Sequence, residues 1–125
     1  MVLLLKRACY NYRSAKGEEM ASLEEFKKFE LKIAEIETVA PHPNADRLYV
    51  LGVKVGEIRK TVVAGIRAHY SEEELRGKKV VIVDNLDPAV IRGVESQGML
   101  LAASSLDGLT LIVPERPISS GTPVK

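Results

Sequence analysis

Between Tyr49 and Val55 an apolar side chain recurs at every second position: Tyr49, Leu51, Val53 and Val55, with Val50, Gly52 and Lys54 between them. That period belongs to a strand with one face buried, and other short runs of strand character lie on either side of it. Leu31 and Ile33 alternate with Lys32, and Ile36 then falls out of phase. A bulge near Ala34 or Glu35 would restore the phase and add the curvature a small barrel needs. Pro41-His42-Pro43-Asn44-Ala45-Asp46 reads as a loop, because its prolines remove donors and fix the backbone. After a Gly56-Glu57 turn, Ile58 to Ile66 is predicted as a third strand, Lys79 to Val83 as a fourth and Met99 to Ala103 as a fifth. Asp107-Gly108 then turns the chain into a returning strand, Leu109 to Val113. Helix signals are brief. Ser22-Leu23-Glu24-Glu25 and Ser71-Glu72-Glu73-Glu74 are capping boxes. The first starts a helix to about Lys28, with Leu23 and Phe26 on one face, and the second starts a helix ending near Gly77. Residues 114–125, with three prolines and one glycine, are expected to run over the surface.

Five strands with a short helix between the third and fourth is the layout of an OB-fold barrel. The expected class is therefore all-β: a five-stranded OB-fold barrel with short helices and a C-terminal extension. A β-sandwich would need about seven strands. The 125 residues suffice for one domain. The expected division is an N-terminal extension over 1–19, either a tail or the product of a start codon placed too early, and the barrel domain over 20–125. With 46% hydrophobic and 28% charged residues the chain can bury a core beneath a solvated surface. Val2 to Leu5 precede Lys6 and Arg7, the reverse of a signal peptide, and the run is too short to span a bilayer. No targeting or membrane segment is expected. The lone Cys9 fits a reducing, cytoplasmic setting. His42 and His69 are too few and too isolated to seed a metal site, and no cofactor is expected.

Catalytic signatures fail on inspection. Ser96 lies between Gly93 and Gly98, but a nucleophile elbow needs glycine where Val94 stands. Glu72, Glu73 and Glu74 read as a solvated face. With a net charge of +1, any RNA site must be a local patch. Arg47, Lys54, Arg59, Lys60 and Arg67 are opposed along the chain only by Asp46 and Glu57 between Asp46 and Tyr70. They fall on and beyond the second and third strands, whose face is a common oligonucleotide site in OB-folds. A merely solvated hairpin is the other reading. Tyr49 is in phase with the core, whereas Tyr70 lies in a loop and is the candidate stacking platform. From Asp84 to Met99, read as a loop, the chain gathers Asn85, Arg92, Ser96 and Met99 among glycines. Polar side chains of this kind can read base edges and sugar hydroxyls, and methionine can pad a base. A glycine-rich barrel corner with Met99 in the core is the alternative.

Pro43-Asn44-Ala45-Asp46-Arg47-Leu48-Tyr49, Val63-Ala64-Gly65-Ile66, Asn85-Leu86 and the run from Arg92 to Ala103 closely resemble the tRNA-binding domain family. Its members include the C-terminal domain of many methionyl-tRNA synthetases, the cytokine precursor of the multi-synthetase complex and free-standing tRNA-binding proteins. The resemblance runs from about Leu23 to Lys125. It implies an OB-fold that recognises the shape of tRNA without catalysis, and it implies a homodimer. It places Asn85, Arg92, Ser96 and Met99 at positions associated with tRNA binding. With no catalytic domain in the chain, the expected role is a free-standing module or the beta subunit of a methionyl-tRNA synthetase. A chaperone-like or protein-interaction module is the alternative. Where many relatives carry basic residues this chain has Asp87 and Val90, and Ala34 stands where many have glycine.

Overall fold

The structure is a computed structural model that describes residues 19–125. Apart from Glu19, the extension expected over 1–19 lies outside the described residues. Two four-residue helices, α1 (Leu23–Phe26) and α2 (Glu72–Leu75), begin at the predicted capping boxes. In each, the serine hydroxyl accepts from the third helical N–H while the glutamate reaches back to the N-cap N–H. Helix α1 stops at Phe26, short of the expected Lys28.

The main sheet is built from β1 (Leu31–Pro41), β2 (Tyr49–Val55), β3 (Ile58–Ala64), β4 (Lys79–Val83) and β7 (Met99–Leu100), in the order β3-β2-β1-β4-β7. It curls into the expected all-β, OB-like half-barrel. Strands β2 and β4 have the predicted bounds. The third ends at Ala64, two residues early. The predicted fifth strand is broken at Leu101 into β7 and β8 (Ala102–Ser105). Strand β8 pairs with β9 (Gly108–Leu111) in a separate hairpin. The stretch read as a loop after Asp84 contains another hairpin, β5 (Ala89–Ile91) with β6 (Val94–Ser96).

Two corrections concern β1. The register slips between Ile36 and Thr38, so Glu37 is the extra residue and the bulge lies two or three positions later than expected. The residues that enter the core cluster are Ala34 and Ile36, then Val39 beyond the bulge. Ile33, expected to share the core face, is buried outside that cluster. Gly52 pairs opposite Thr38 at the bulge, where an added Cβ would collide with the threonine hydroxyl.

The C-terminal segment does more than cover the surface. Gly121 N–H donates to Ile33 O at 2.7 Å, Ile33 N–H donates to Thr122 O at 3.0 Å, and β10 (Pro123–Val124) pairs with Leu31 and Lys32. Gly121 has φ +90, and an added Cβ would stand 2.8 Å from Gly56 Cα, so the tail lies directly on the β2–β3 turn.

Leu51, Val53, Val62, Ile82 and Ile36 are essentially inaccessible and form the centre of the core. Leu51→Ala should destabilise the fold by about 2–5 kcal/mol, the usual cost of such a cavity. Urea unfolding followed by circular dichroism checks this, and a loss below about 1 kcal/mol would show that the barrel collapses around the gap.

Candidate nucleic-acid interface

Register separates the five basic residues expected to form one face. Lys54 pairs with Arg59 and Lys60 with Val53. Directly opposed residues share a face and neighbours in a strand alternate. Lys60 therefore stands on the opposite side of the ribbon from Lys54 and Arg59. The outer side is balanced by carboxylates from β1. Glu35 pairs opposite Lys54, and Glu37 accepts from Arg59 Nε at 2.8 Å. That hydrogen bond and the charge of Glu37 raise the Arg59 pKa. The carboxylates that offset this hairpin come from another strand, so a count along the chain missed them.

Lys60 is committed elsewhere. Its ammonium lies 2.7 Å from Asp84 Oδ1 and 3.0 Å from the Asp84 carbonyl, and Lys32 lies 3.2 Å from the other carboxylate oxygen. Burial pushes the Asp84 pKa up, but hydrogen bonds and charge from Lys60 and Lys32 outweigh it and hold the carboxyl below its ordinary value.

Two residues expected to contact ligand serve the fold with their polar atoms. Ser96 is 5% exposed; its hydroxyl accepts from Val63 N–H at 2.9 Å and donates to Gly98 O at 3.1 Å. Asn85 accepts from Glu30 N–H at 2.8 Å and donates to Lys28 O at 2.7 Å, tying the entry of β1 to the exit of β4. Tyr70 is no open platform. Its hydroxyl accepts from Leu111 N–H, its ring packs partly on the core, and Lys78 Nζ lies 6.0 Å from the ring centroid. Tyr49 is a core residue, as its phase predicts.

The side chains left to face a ligand gather at one end of the barrel. The β1–β2 loop brings Arg47, whose carbonyl accepts from Arg67 N–H, and the Arg67 guanidinium sits 5.9 Å from the Tyr49 ring centroid. Arg92 is exposed at the tip of the β5–β6 hairpin, and Asn44 Nδ2 from the same loop donates to its carbonyl at 3.3 Å. Among the described residues none of these three arginines forms an ion pair. Asp46, Asp87 and Glu95 stand exposed on the same loop and hairpin region. Beneath the hairpin lies an apolar cavity of about 300 Å³, lined by Val63, Ile66, Leu86, Ile91, Met99 and Ala102 among others, with Asp87 at its wall. Met99 is half-buried there, between its two expected roles. Among the described residues no cluster of ligating side chains could hold a metal ion, and no helix is long and apolar enough to cross a membrane.

The hairpin and His42, which is 4% exposed and bonded to it, are what sequence reasoning missed. The hairpin did leave a signal, in Ala89-Val90-Ile91 and Val94-Glu95-Ser96 flanking a two-residue Arg92-Gly93 turn.

A family model described as "Putative tRNA binding domain" matches residues 31–123. The chain belongs to this family. It is 40% identical over 128 residues to the methionine–tRNA ligase of Pyrococcus horikoshii, covering 98% of this chain and 18% of the ligase. It is 47% identical over 113 residues to that of Pyrococcus furiosus, covering 88% and 16%. The chain thus spans less than a fifth of the length of these synthetases. Among solved structures, the MetRS related protein of Pyrococcus horikoshii superimposes with a TM-score of 0.80 at 36% identity, covering 86% of this chain and 99% of that one. The chaperone CsaA of Bacillus anthracis gives 0.76 at 26%, covering 85% and 99%.

Two stability effects follow from the assigned contacts. Ser96→Ala strands the buried Val63 N–H and should cost about 1–3 kcal/mol by denaturant titration. For Asp84, a folded-state pKa held below the unfolded value of about 3.9 contributes stability above that value. The contribution is lost as pH falls through the folded value. Asp84→Asn should therefore lower stability near neutral pH and show a shallower loss below about pH 4. Parallel acid limbs for the two proteins would show that the cluster contributes nothing.

Proposed function

We propose that this chain is a non-catalytic tRNA-binding module that recognises tRNA shape and acts with a methionyl-tRNA synthetase, either as its beta subunit or as a free-standing companion. The unit is residues 20–125, working in the cytoplasm as a homodimer. The observation that carries the reading is the hairpin tip at Arg92, an exposed cation on a braced scaffold beside two further unpaired arginines, in a chain matched by this family over 31–123. Backbone phosphates follow shape, and among the described residues the only helices are two of four residues, too short to enter a groove and read bases. Arg47, Arg67, Arg92 and Met99 would face the RNA, with Lys54 at the margin. Asn85, Ser96, Lys60, Arg59 and Tyr70 would act through the scaffold. The acidic neighbours Asp46, Asp87 and Glu95 keep affinity modest. Tethering to a synthetase compensates, because a linked second contact is effectively intramolecular.

The homodimer reading is supported by apolar side chains that the fold leaves uncovered. Leu23 is 66% exposed, Phe26 45% and Phe29 51%. A second function is favoured by one feature: the apolar cavity beneath the hairpin, in a fold shared with a chaperone. In that case the cavity would hold apolar side chains of a client protein.

Filter binding with labelled, unfractionated tRNA separates the two. Affinity should fall steeply with salt, through counterion release. Arg92→Ala should weaken binding by about 1.5–3 kcal/mol, the worth of a hydrogen bond to a charged group, and flatten the salt dependence. Asp87→Lys should strengthen it. Salt-independent binding, or no response to either substitution in a folded protein, would remove this face from the RNA. Sedimentation at micromolar concentration should show a dimer that Phe26→Asp dissociates, and a wild-type monomer would refute the assembly.

A further inference from the structure

The β5–β6 hairpin has only three residues in each strand and is hydrogen-bonded as a two-stranded sheet apart from the main one. An isolated ribbon of that kind is marginally stable in water, so its position must come from tethers. Its base is held by Ser96 and Gln97, which bond to the edge of β3. Its tip is held by the β1–β2 loop, and the central group there is His42.

His42 is flanked by Pro41 and Pro43 and is 4% exposed. Its backbone N–H donates to Leu48 O at 3.0 Å, closing the loop on itself. Its ring has two partners whose roles admit only one assignment. The Asn44 backbone N–H, 2.9 Å from Nδ1, can only donate, so Nδ1 accepts. The Ile91 carbonyl, 3.0 Å from Nε2, can only accept, so Nε2 carries the proton. The bridging form is therefore neutral, with the hydrogen on Nε2. Asn44, oriented by the ring, passes a second hydrogen bond to the carbonyl of Arg92.

That bridge ends on an unusual turn. Arg92 has φ +52 and Gly93 has φ +92, the backbone of a type I′ hairpin. Arg92 is the only non-glycine residue at positive φ among the described residues. Asparagine, aspartate or glycine is the usual occupant of that position. An arginine there is strained, and its exposed side chain makes no ion pair among the described residues that would favour it for folding. Strain of this kind persists where the surroundings over-determine it, and it gathers at functional positions. His42 is buried, but its ring is engaged by two backbone groups and not by the hydrophobic core cluster.

We propose that His42 is a positioning residue for RNA binding: its neutral imidazole bridges Asn44 N–H and Ile91 O, locks the strained Arg92-Gly93 turn, and fixes where the Arg92 guanidinium meets a phosphate. This rests on the reading that the hairpin faces tRNA. His42 touches no RNA itself and acts through Arg92.

A double-mutant cycle tests it. In the full chain, with unfractionated tRNA in filter binding, His42→Phe keeps a flat aromatic ring, slightly larger than imidazole, and removes both hydrogen bonds. It should weaken binding by about tenfold, approaching the loss expected for Arg92→Ala. In the Arg92→Ala background the same substitution should cost less than about twofold. His42→Gln, which retains a donor for Ile91 O, should recover part of the loss. Equal effects of His42→Phe in both backgrounds, or no effect in the wild type, would overturn the positioning role while leaving Arg92 an RNA contact. If Arg92→Ala itself binds normally, the RNA-facing reading fails and the proposal falls with it. A measurement needing no variant guards against misfolding. Imidazole ¹⁵N shifts of the wild-type protein near neutral pH should show His42 protonated on Nε2 alone. A proton on Nδ1 would exclude the bridge.

Discussion

The sheet order β3-β2-β1-β4-β7 leaves the outer edge of β3 without a strand partner, yet Val62, Val63 and Ala64 are buried there. Buried N–H groups without acceptors are costly, and the barrel meets this with two side chains and one backbone bond in place of a strand. Gln97 Oε1 accepts from Thr61 N–H at 2.8 Å, Gln97 N–H donates to Thr61 O at 2.7 Å, and Ser96 Oγ accepts from Val63 N–H. Much of the functional end depends on this closure. It seals the core between β3 and β7, it anchors the β5–β6 hairpin, and it roofs the apolar cavity. Gly98 fits the same seam, since a Cβ there would approach Val83 O to 3.3 Å.

Sequence reasoning succeeded where a feature is decided by neighbouring residues. The alternation in β2, the run in β4 and both capping boxes are short-range patterns, and the structure reproduces them. It fell short where a distant partner decides. The bulge at Glu37 is set by the pairing of Thr38 with Gly52, which the phase of β1 alone places too early. The alternation around Ile33 places it on the core face because nothing local reveals that the C-terminal segment returns to bond its backbone. Ser96 and Asn85 show the same limit at the site. Their residue types suit ligand contact, but the N–H groups that claim them belong to Val63 and Glu30, far away in the chain. The family resemblance marks the region without telling which of its residues hold the scaffold.

Charge follows the same rule. Five cations in a short stretch look like a basic face until Glu35, Glu37 and Asp84 are placed against Lys54, Arg59 and Lys60. Of the five, Arg47 and Arg67 remain, from the β1–β2 loop and the β3 exit, and Arg92 on the β5–β6 turn joins them. A chain of net charge +1 can therefore present unpaired guanidinium groups together without being basic overall. Exposed ion pairs add little to stability, so the pairing of Arg59 with Glu37 matters here mainly because it withdraws a cation from any ligand.

A site with few cations and acidic neighbours gains from having those cations already in place, since ordering a long, mobile side chain on binding costs entropy each time. The structure reduces that cost at one position by fixing the backbone that carries the side chain. The left-handed backbone of Arg92 narrows where its side chain can reach, and the His42 and Asn44 bonds, together with the Ser96 and Gln97 closure, hold the hairpin at tip and base. Between Asp87 and Ser96 Arg92 is the only basic side chain, so under the proposed function it would carry the hairpin's attraction for phosphate. Rigidity at the turn and scarcity of charge around it are thus two sides of one arrangement. With few cations to offer, this face gains more from fixing one of them than from adding flexible ones that its own carboxylates would neutralise.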